Sequence, residues 1–341
     1  MRAIVYSQSG PSSVLGLADR EPGTPGPTEV RVRIAVSGVN PTDWKARAGN
    51  RPLEFAEAVP NQDGAGVVDA VGSEVVGLEP GDRVWIFLAA HERPTGTAQE
   101  LTVVPADRVV RLPDSIAFDV ATSLGVPAMT AHRALTVHEA GPARLAPGSL
   151  DGRVVLVQGG AGAVGHAAIQ LAVWAGATVI ATVSSDEKAA LARAAGAHHV
   201  LQYPDAELAA KVRAVAQRGV DHIVEVAAAQ NAELDVEVLA NHGSIAYYAN
   251  NGGEEFTAPI AASFAKNARW QGLLLYTVGR EALAAAAEDI TAALDAGALP
   301  VGEAAGLPLT WFPLEETAAA HDAVESGVTG KVLIAVADDL R

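Results

Sequence analysis

Apolar and polar residues alternate from position 30 to 37, with Val30, Val32, Ile34 and Val36 set against Arg31, Arg33, Ala35 and Ser37. That is the period of a strand with one buried face. Residues 64–71 form a second apolar run between turn residues, and Pro80-Gly81-Asp82 is a turn signal ahead of Arg83-Val84-Trp85-Ile86-Phe87. Short strands with frequent Gly and Pro predict a barrel or curled antiparallel sheet over the first 110 or so residues.

The texture changes near residue 115. Helices are predicted over 117–124 and 128–139, then a loop rich in Gly and Pro over 140–152. From Arg153 strands and helices alternate: strands at 154–158, 178–183, 200–202, 221–226 and 244–248, and helices at 163–175, 186–195, 206–217 and 231–241. Such alternation means βαβ units and a parallel sheet. Helices at 281–296 and 314–325 and a strand at 331–336 close the chain, and Trp270 to Tyr276 is a further long apolar strand.

One turn in the alternating region carries chemistry. The strand ending at Gln158 runs into Gly159-Gly160-Ala161-Gly162-Ala163-Val164-Gly165, in which Gly160, Gly162 and Gly165 make Gly-x-Gly-x-x-Gly. Alone the pattern is weak; after a buried strand and at the start of a helix it has the context of a dinucleotide site. The first Gly makes the tight turn, the second admits the pyrophosphate, the third lets helix and strand pack, and the helix N-terminus offers free N–H groups. At the tip of the next strand an NAD site usually carries Asp or Glu. Ser184 and Ser185 stand there instead, with Lys188 one turn on and Tyr203 after the following strand, a set suited to a 2′-phosphate. Asp186 and Glu187 count against that reading, and either serine equally suits the N-cap of the helix that follows.

Composition narrows the functions. The 341 residues suggest about two domains. A net charge of −16 opposes nucleic acid and anionic membranes as partners. With no Cys, thiolate zinc sites, iron–sulfur clusters and cysteine nucleophiles are excluded. No apolar stretch approaches membrane-spanning length, and the N-terminus lacks the apolar core of a signal peptide, so a cytoplasmic location is expected.

Several segments in order resemble one family. They are Ser37-Gly38-Val39-Asn40-Pro41-Thr42-Asp43, Gly64-Ala65-Gly66-Val67-Val68, Pro80-Gly81-Asp82-Arg83-Val84, Gly96-Thr97-Ala98-Gln99-Glu100, the Gly159–Gly165 turn and Thr329-Gly330-Lys331-Val332. Together they resemble the zinc-free quinone oxidoreductase branch of the medium-chain dehydrogenase/reductase superfamily, over essentially the whole chain. The resemblance implies an α/β protein: a GroES-like β-barrel catalytic domain over 1–124 and a Rossmann NADP-binding domain over 125–262. Residues 263–341 would supply the remaining Rossmann strand and helix and return to the first domain, with the active-site cleft between the domains.

Against the zinc alcohol dehydrogenases of the same superfamily, the first catalytic ligand position holds Asn40 and the next falls at Gln62-Asp63. The nine His show no metal-ligand spacing, so no metal is expected. The resemblance places Asn40, Asp43 and Thr130 around the nicotinamide and its ribose, as the catalytic set. It places Tyr248 at the nicotinamide and Lys331 near the cofactor. The Asn40–Asp43 segment also reads as an ordinary turn and helix cap, Tyr248 as a core aromatic and Lys331 as a solvated lysine. The expected reaction is hydride transfer from NADPH to a quinone or similar conjugated acceptor. The alternatives are an enoyl or alkenal double-bond reductase, or an NADPH-binding protein without turnover. A homodimer formed through an edge of the Rossmann sheet is expected by analogy.

Overall fold

The computed structural model describes every residue except Arg51, Ala140, Pro204 and Arg341, and the side chain of Asp338 is also left aside. The chain divides into two units, one of Met1–Val126 with Pro308–Arg341, the other of Pro127–Leu307.

The first unit is built on strands β1 (Arg2–Val5), β2 (Gly16–Asp19), β3 (Glu29–Val39), β4 (Asp63–Val71), β5 (Arg83–Ile86), β6 (Leu101–Pro105) and β7 (Val109–Arg111). Helices α1 (Pro41–Lys45) and α2 (Phe118–Thr122) lie between and after them. Val30, Val32 and Ile34 are buried as their alternation predicts. Beyond Ile34 the alternation fails: Ala35 and Ser37 are fully buried too. Both faces of β3 are covered there, with Ser37 Oγ 2.7 Å from Thr97 Oγ1 and Thr122 Oγ1 donating to the Val36 carbonyl.

The second unit begins with helix α3, Gly125–Thr136, whose first two residues belong to the first unit. The loop expected over 140–152 starts at Ala140, outside the described residues. Strands β8 (Val154–Gln158), β9 (Thr178–Val183), β10 (His199–Gln202), β11 (Val220–Glu225), β12 (Leu239–Tyr247) and β13 (Arg269–Gly272) follow. Between and after them come α4 (Ala163–Trp174), α5 (Asp186–Ala194), α6 (Leu208–Val215), α7 (Ala228–Val238), α8 (Ile260–Ala265) and α9 (Arg280–Asp295). The six strands form one parallel sheet in the order β10-β9-β8-β11-β12-β13. The chain winds outward from β8 to β10, then crosses back to β11 and winds the other way. Ligands of such sheets bind at this reversal, beyond the strands' carboxyl ends. Leu156, Ile180, Ile223 and Ile245, one from each of four strands, share a core with Val212 and Val236 of two helices.

Two expectations need correction here. The helix expected over 231–241 spans Ala228–Val238 and β12 starts at once at Leu239, which pairs with Val220 and is buried. The strand expected from Trp270 to Tyr276 stops at Gly272, after which the chain turns into a short 3₁₀ helix at Leu275–Thr277.

The chain then re-enters the first unit through β14 (Leu309–Pro313), α10 (Thr317–Glu325) and β15 (Lys331–Ala335). The seven-stranded sheet runs β14-β15-β3-β4-β5-β7, with β6 on β3. No helix among the described residues is long and apolar enough to cross a membrane.

Candidate functional site

In the first unit a buried polar cluster forms where β15 meets the end of β3. Antiparallel pairing sets Val332 opposite Val39, which brings Lys331 to Asn40, the residue after β3. Pro41 opens α1 with φ already suited to a helix. Asn40, extended at φ −120° and ψ 161°, is its N-cap. Lys331 Nζ donates to Asn40 Oδ1 at 2.7 Å and to Asp63 Oδ2 at 3.2 Å. Asn40 Nδ2 donates to the same Asp63 oxygen at 2.7 Å. The amide orientation is forced, since an ammonium only donates and a carboxylate only accepts. Asp63 Oδ1 accepts from the Val126 N–H at 2.8 Å. Asp43 accepts from the Asn40 N–H at 2.7 Å and from the Gln62 N–H at 3.1 Å.

Asn40, Asp43, Asp63 and Lys331 are each at most 4% exposed. Burial, reinforced by the charge of Asp63, pushes Asp43 up to about 7 against its backbone donors and Lys331. The reading of Lys331 as a solvated lysine is therefore overturned: its ammonium is the internal counter-ion of two carboxylates. This arrangement does not fit zinc. A neutral amide and a fixed ammonium stand where a metal would need anionic or imidazole ligands. Among the described residues no group of three or more His, Cys, Asp or Glu could hold a metal ion.

A second chain of bonds braces the cluster from behind. Thr97 Oγ1 donates to the Asp63 carbonyl at 2.6 Å, so Ser37 donates to Thr97, and Asn61 Nδ2 donates to Ser37 Oγ at 3.0 Å. Asn61 Oδ1 then accepts from His321 Nε2 at 2.9 Å. Every donor is fixed by the carbonyl at the end, and His321 is neutral with its proton on Nε2. Burial holds its pKa down, at about 3.

In the second unit the Gly-rich turn joins β8 to α4. The three glycines differ in what their missing side chains would meet. A Cβ on Gly165 would lie 2.4 Å from the Gly159 carbonyl, and one on Gly160 would lie 2.8 Å from Ala181 Cβ. Those two are required by packing. Gly162 is exposed, has ordinary φ of −79°, and a Cβ there would meet only the Gly159 oxygen at 3.5 Å. Its bareness serves nothing inside the protein and suits a ligand approaching the backbone. Ala161 is buried beneath the turn, while Ala163 and Val164 form the half-buried first turn of α4.

Ser184 and Ser185 follow β9. Ser185 caps α5, its Oγ accepting from the Lys188 N–H at 3.3 Å, and Ser184 is half-buried. Parallel pairing of Gln202 with Val183 sets Tyr203 alongside, its N–H donating to the Val183 carbonyl at 3.1 Å. The Tyr203 side chain is 49% exposed. Asp186, the carboxylate that argued against a phosphate, accepts from Gln202 Nε2 at 2.7 Å. The sheet thus gathers Ser184, Ser185, Lys188 and Tyr203 at one edge beyond β9. Thr130 is buried on α3. Tyr248, directly after β12, is half-buried and donates its N–H to the Glu225 carbonyl at 3.1 Å.

Sequence reasoning missed Asp63 as the anchor of the first cluster, although the family resemblance had drawn attention to Gln62-Asp63. It also missed Glu225 and Asp235, two carboxyls with no exposure at the reversal of the sheet. An acidic residue ending the apolar run Ile223-Val224-Glu225 was the available hint.

Residues 26–114 match the model of the alcohol dehydrogenase GroES-like domain, and residues 163–292 that of the zinc-binding dehydrogenases. The quinone oxidoreductase of Lama guanicoe is 30% identical over 98% of this chain and 97% of its own. The 2-haloacrylate reductase of a Burkholderia species is 30% identical over 94% of both chains. A mycobacterial protein solved in complex with NADPH superposes with a TM-score of 0.82 at 28% identity, covering 98% of this chain and all of its own.

Proposed function

The chain belongs to the quinone oxidoreductase branch of the medium-chain dehydrogenase/reductase superfamily and is an oxidoreductase; from that premise we propose that it reduces a quinone or similarly conjugated acceptor with NADPH and without zinc. The observation that carries the reading is the Lys331–Asn40–Asp63 cluster, where a fixed organic cation stands in the place of a metal.

NADPH, when bound, supplies the hydride, and the chemistry resides in it. The open backbone at Gly162 and the N-terminus of α4 would hold the pyrophosphate. Ser184, Lys188 and Tyr203 would hold the 2′-phosphate; among the described residues the Lys188 ammonium has no other partner. Thr130 and Tyr248 would flank the ribose and nicotinamide.

Reduction of a conjugated acceptor places negative charge on its oxygen. Asn40 keeps one amide N–H, and Lys331 one ammonium N–H, beyond those bonded among the described residues. Both are positioned before reaction, as donors to a developing oxyanion should be. Asp43, pushed up to about 7, would tune the charge of this cluster as it gains or loses its proton.

A second reading, reduction of an activated carbon–carbon double bond, is favoured by the likeness to the 2-haloacrylate reductase. We place the protein in the cytoplasm as a homodimer. Strand β13 is a free edge of the sheet, and Ile260, Phe264 and Leu274 nearby in sequence are 77%, 69% and 46% exposed. Sedimentation at micromolar concentration should find the dimer; a monomer alone refutes it.

The test of the cofactor assignment is titration with NADPH and NADH. Two charge-assisted bonds to the 2′-phosphate, at the lower end of about 1.5–3 kcal/mol each, favour NADPH by about two orders of magnitude. Lys188→Ala should reduce that preference about tenfold. Equal affinities in the unaltered protein contradict it.

A further inference from the structure

Beneath the Gly-rich turn, where the sheet reverses between β8 and β11, two carboxyl groups lie close together. Glu225 ends β11, and Asp235 comes from α7; both are fully buried. Gln158, which donates to Asp235, lies beside Glu225 across the β8–β11 pair, and Asn231, which donates to Glu225, precedes Asp235 by one turn of α7. With no cation against either carboxyl among the described residues, two neighbouring buried groups of this kind are not both ionised and the pair holds a proton.

The surroundings say which group carries it. Glu225 accepts from the Ala227 N–H and from Asn231 Nδ2, at 3.2 Å to each oxygen. Asp235 Oδ1 accepts from Gln158 Nε2 at 3.0 Å, whereas its Oδ2 has no partner among the described residues. Glu225 is thus equipped as the anion and Asp235 as the acid. Asp235 lies well above the ordinary carboxylate range through burial and the charge of Glu225. The other titratable group facing the pair is Tyr248, after β12, which burial and Glu225 hold in its neutral form. Gln158 from β8, Thr182 from β9 and Asn231 from α7 complete the shell, and no ion pair to either carboxyl occurs among the described residues.

The pair is wired to the turn on two sides. Gln158 Oε1 accepts from Thr182 Oγ1, and the Thr182 carbonyl accepts the Gly160 N–H at 3.0 Å. On the other side Val226, next to Glu225, comes within 3.0 Å of where a Gly159 Cβ would lie.

We propose that Asp235 and Glu225 share one proton that holds the dinucleotide-binding turn in shape, as positioning residues whose deprotonation weakens cofactor binding. The proposal rests on the reading of this turn as the NADPH site. At neutral pH the pair carries one proton and one negative charge. In alkali the proton leaves, two neighbouring carboxylates repel, and a second charge appears behind the pyrophosphate. Affinity therefore falls as pH rises, by at most about tenfold per pH unit for one linked proton.

The test is the NADPH dissociation constant from neutral to alkaline pH for the unaltered protein, Asp235→Asn and Glu225→Gln. In Asp235→Asn the amide can donate to Glu225 and the titrating acid is gone; in Glu225→Gln Asp235 keeps its proton and loses only the neighbouring charge, so its loss of affinity moves to higher pH. The unaltered protein should lose affinity in alkali, with NADH as with NADPH, and Asp235→Asn should lose markedly less. Using both cofactors separates this loss from titration of Lys188 or Tyr203. A flat profile in the unaltered protein, or an equal loss in Asp235→Asn, overturns the proposal. Infrared spectra of the cofactor-free protein read the proton independently: Asp43 also contributes a protonated-carboxyl band lost in alkali, and the part of that signal belonging to the pair should be missing from the Asp235→Asn difference spectrum. Absence of NADPH binding at every pH would instead refute the dinucleotide site itself.

Discussion

Lys331 Nζ and Asn40 Oδ1 lie 2.7 Å apart across 291 residues of sequence. One is the first residue of the last strand and the other the cap of the first helix. The contact joins the returning segment to the turn that opens the first helix.

Removing that ammonium should be costly. Lys331→Met leaves Asp63 and Asp43 buried with no cation, and breaking a buried pair in this way costs about 3–5 kcal/mol. Chemical denaturation should show a loss of that order. The double variant Lys331→Met/Asp63→Asn should lose less, because it removes the stranded charge as well. Equal losses would mean that Lys331 acts through packing of its stem.

Asn40→Ala should slow turnover more than it weakens NADPH binding. Loss of one donor to an oxyanion costs about 10²–10³ in rate in sites built for it, and intrinsically reactive acceptors should fall at or below the low end. Initial rates alongside direct NADPH titration separate the two effects. Unchanged turnover would reduce Asn40 to a cap residue.

The glycines of the turn should separate cleanly. Gly162→Val has room in the protein and should fold normally while losing most of its NADPH affinity. Gly165→Ala, driven against the Gly159 carbonyl, should lose stability instead. Thermal melts and cofactor titration on both variants check this, and undiminished NADPH affinity in folded Gly162→Val refutes the phosphate cradle.

Asp289 on α9 provides the pH prediction. Burial pushes its carboxyl up, but bonds from His132 Nε2, the Arg144 guanidinium and the Leu145 N–H outweigh it and hold it at about 2. A carboxyl depressed in the folded state stabilises above its unfolded value of 3.8 and loses that contribution as pH falls toward 2. Stability should therefore drop between about pH 4 and 2, and Asp289→Ala should flatten that part of the curve. The same variant should cost about 2–3 kcal/mol at neutral pH, because it strands the Leu145 N–H and the buried His132.

Local patterns revealed what is locally caused. The strands at 154–158 and 178–183 form as their apolar runs predict, because a parallel sheet covered on both faces demands continuous apolar sequence. The Gly-rich turn was legible for the same reason, and so was the grouping of Ser184 with Tyr203 once neighbouring strands pair. What long-range pairing creates was not legible. Lys331 could be placed beside Asn40 only by the register of β15 on β3. The burial of Ser37 depends on Thr97, sixty residues away. The Glu225–Asp235 pair depends on a helix returning over the end of β11, which no periodicity records.

The most direct measurement is NADPH oxidation with a para-quinone by protein dialysed against a strong chelator and shown to be metal-free by elemental analysis. Turnover should be undiminished by metal removal, since the Lys331 ammonium and Asn40 amide supply the electrophilic groups. Loss of quinone turnover on chelation with recovery on adding zinc, or no quinone turnover in the untreated protein, would contradict the account.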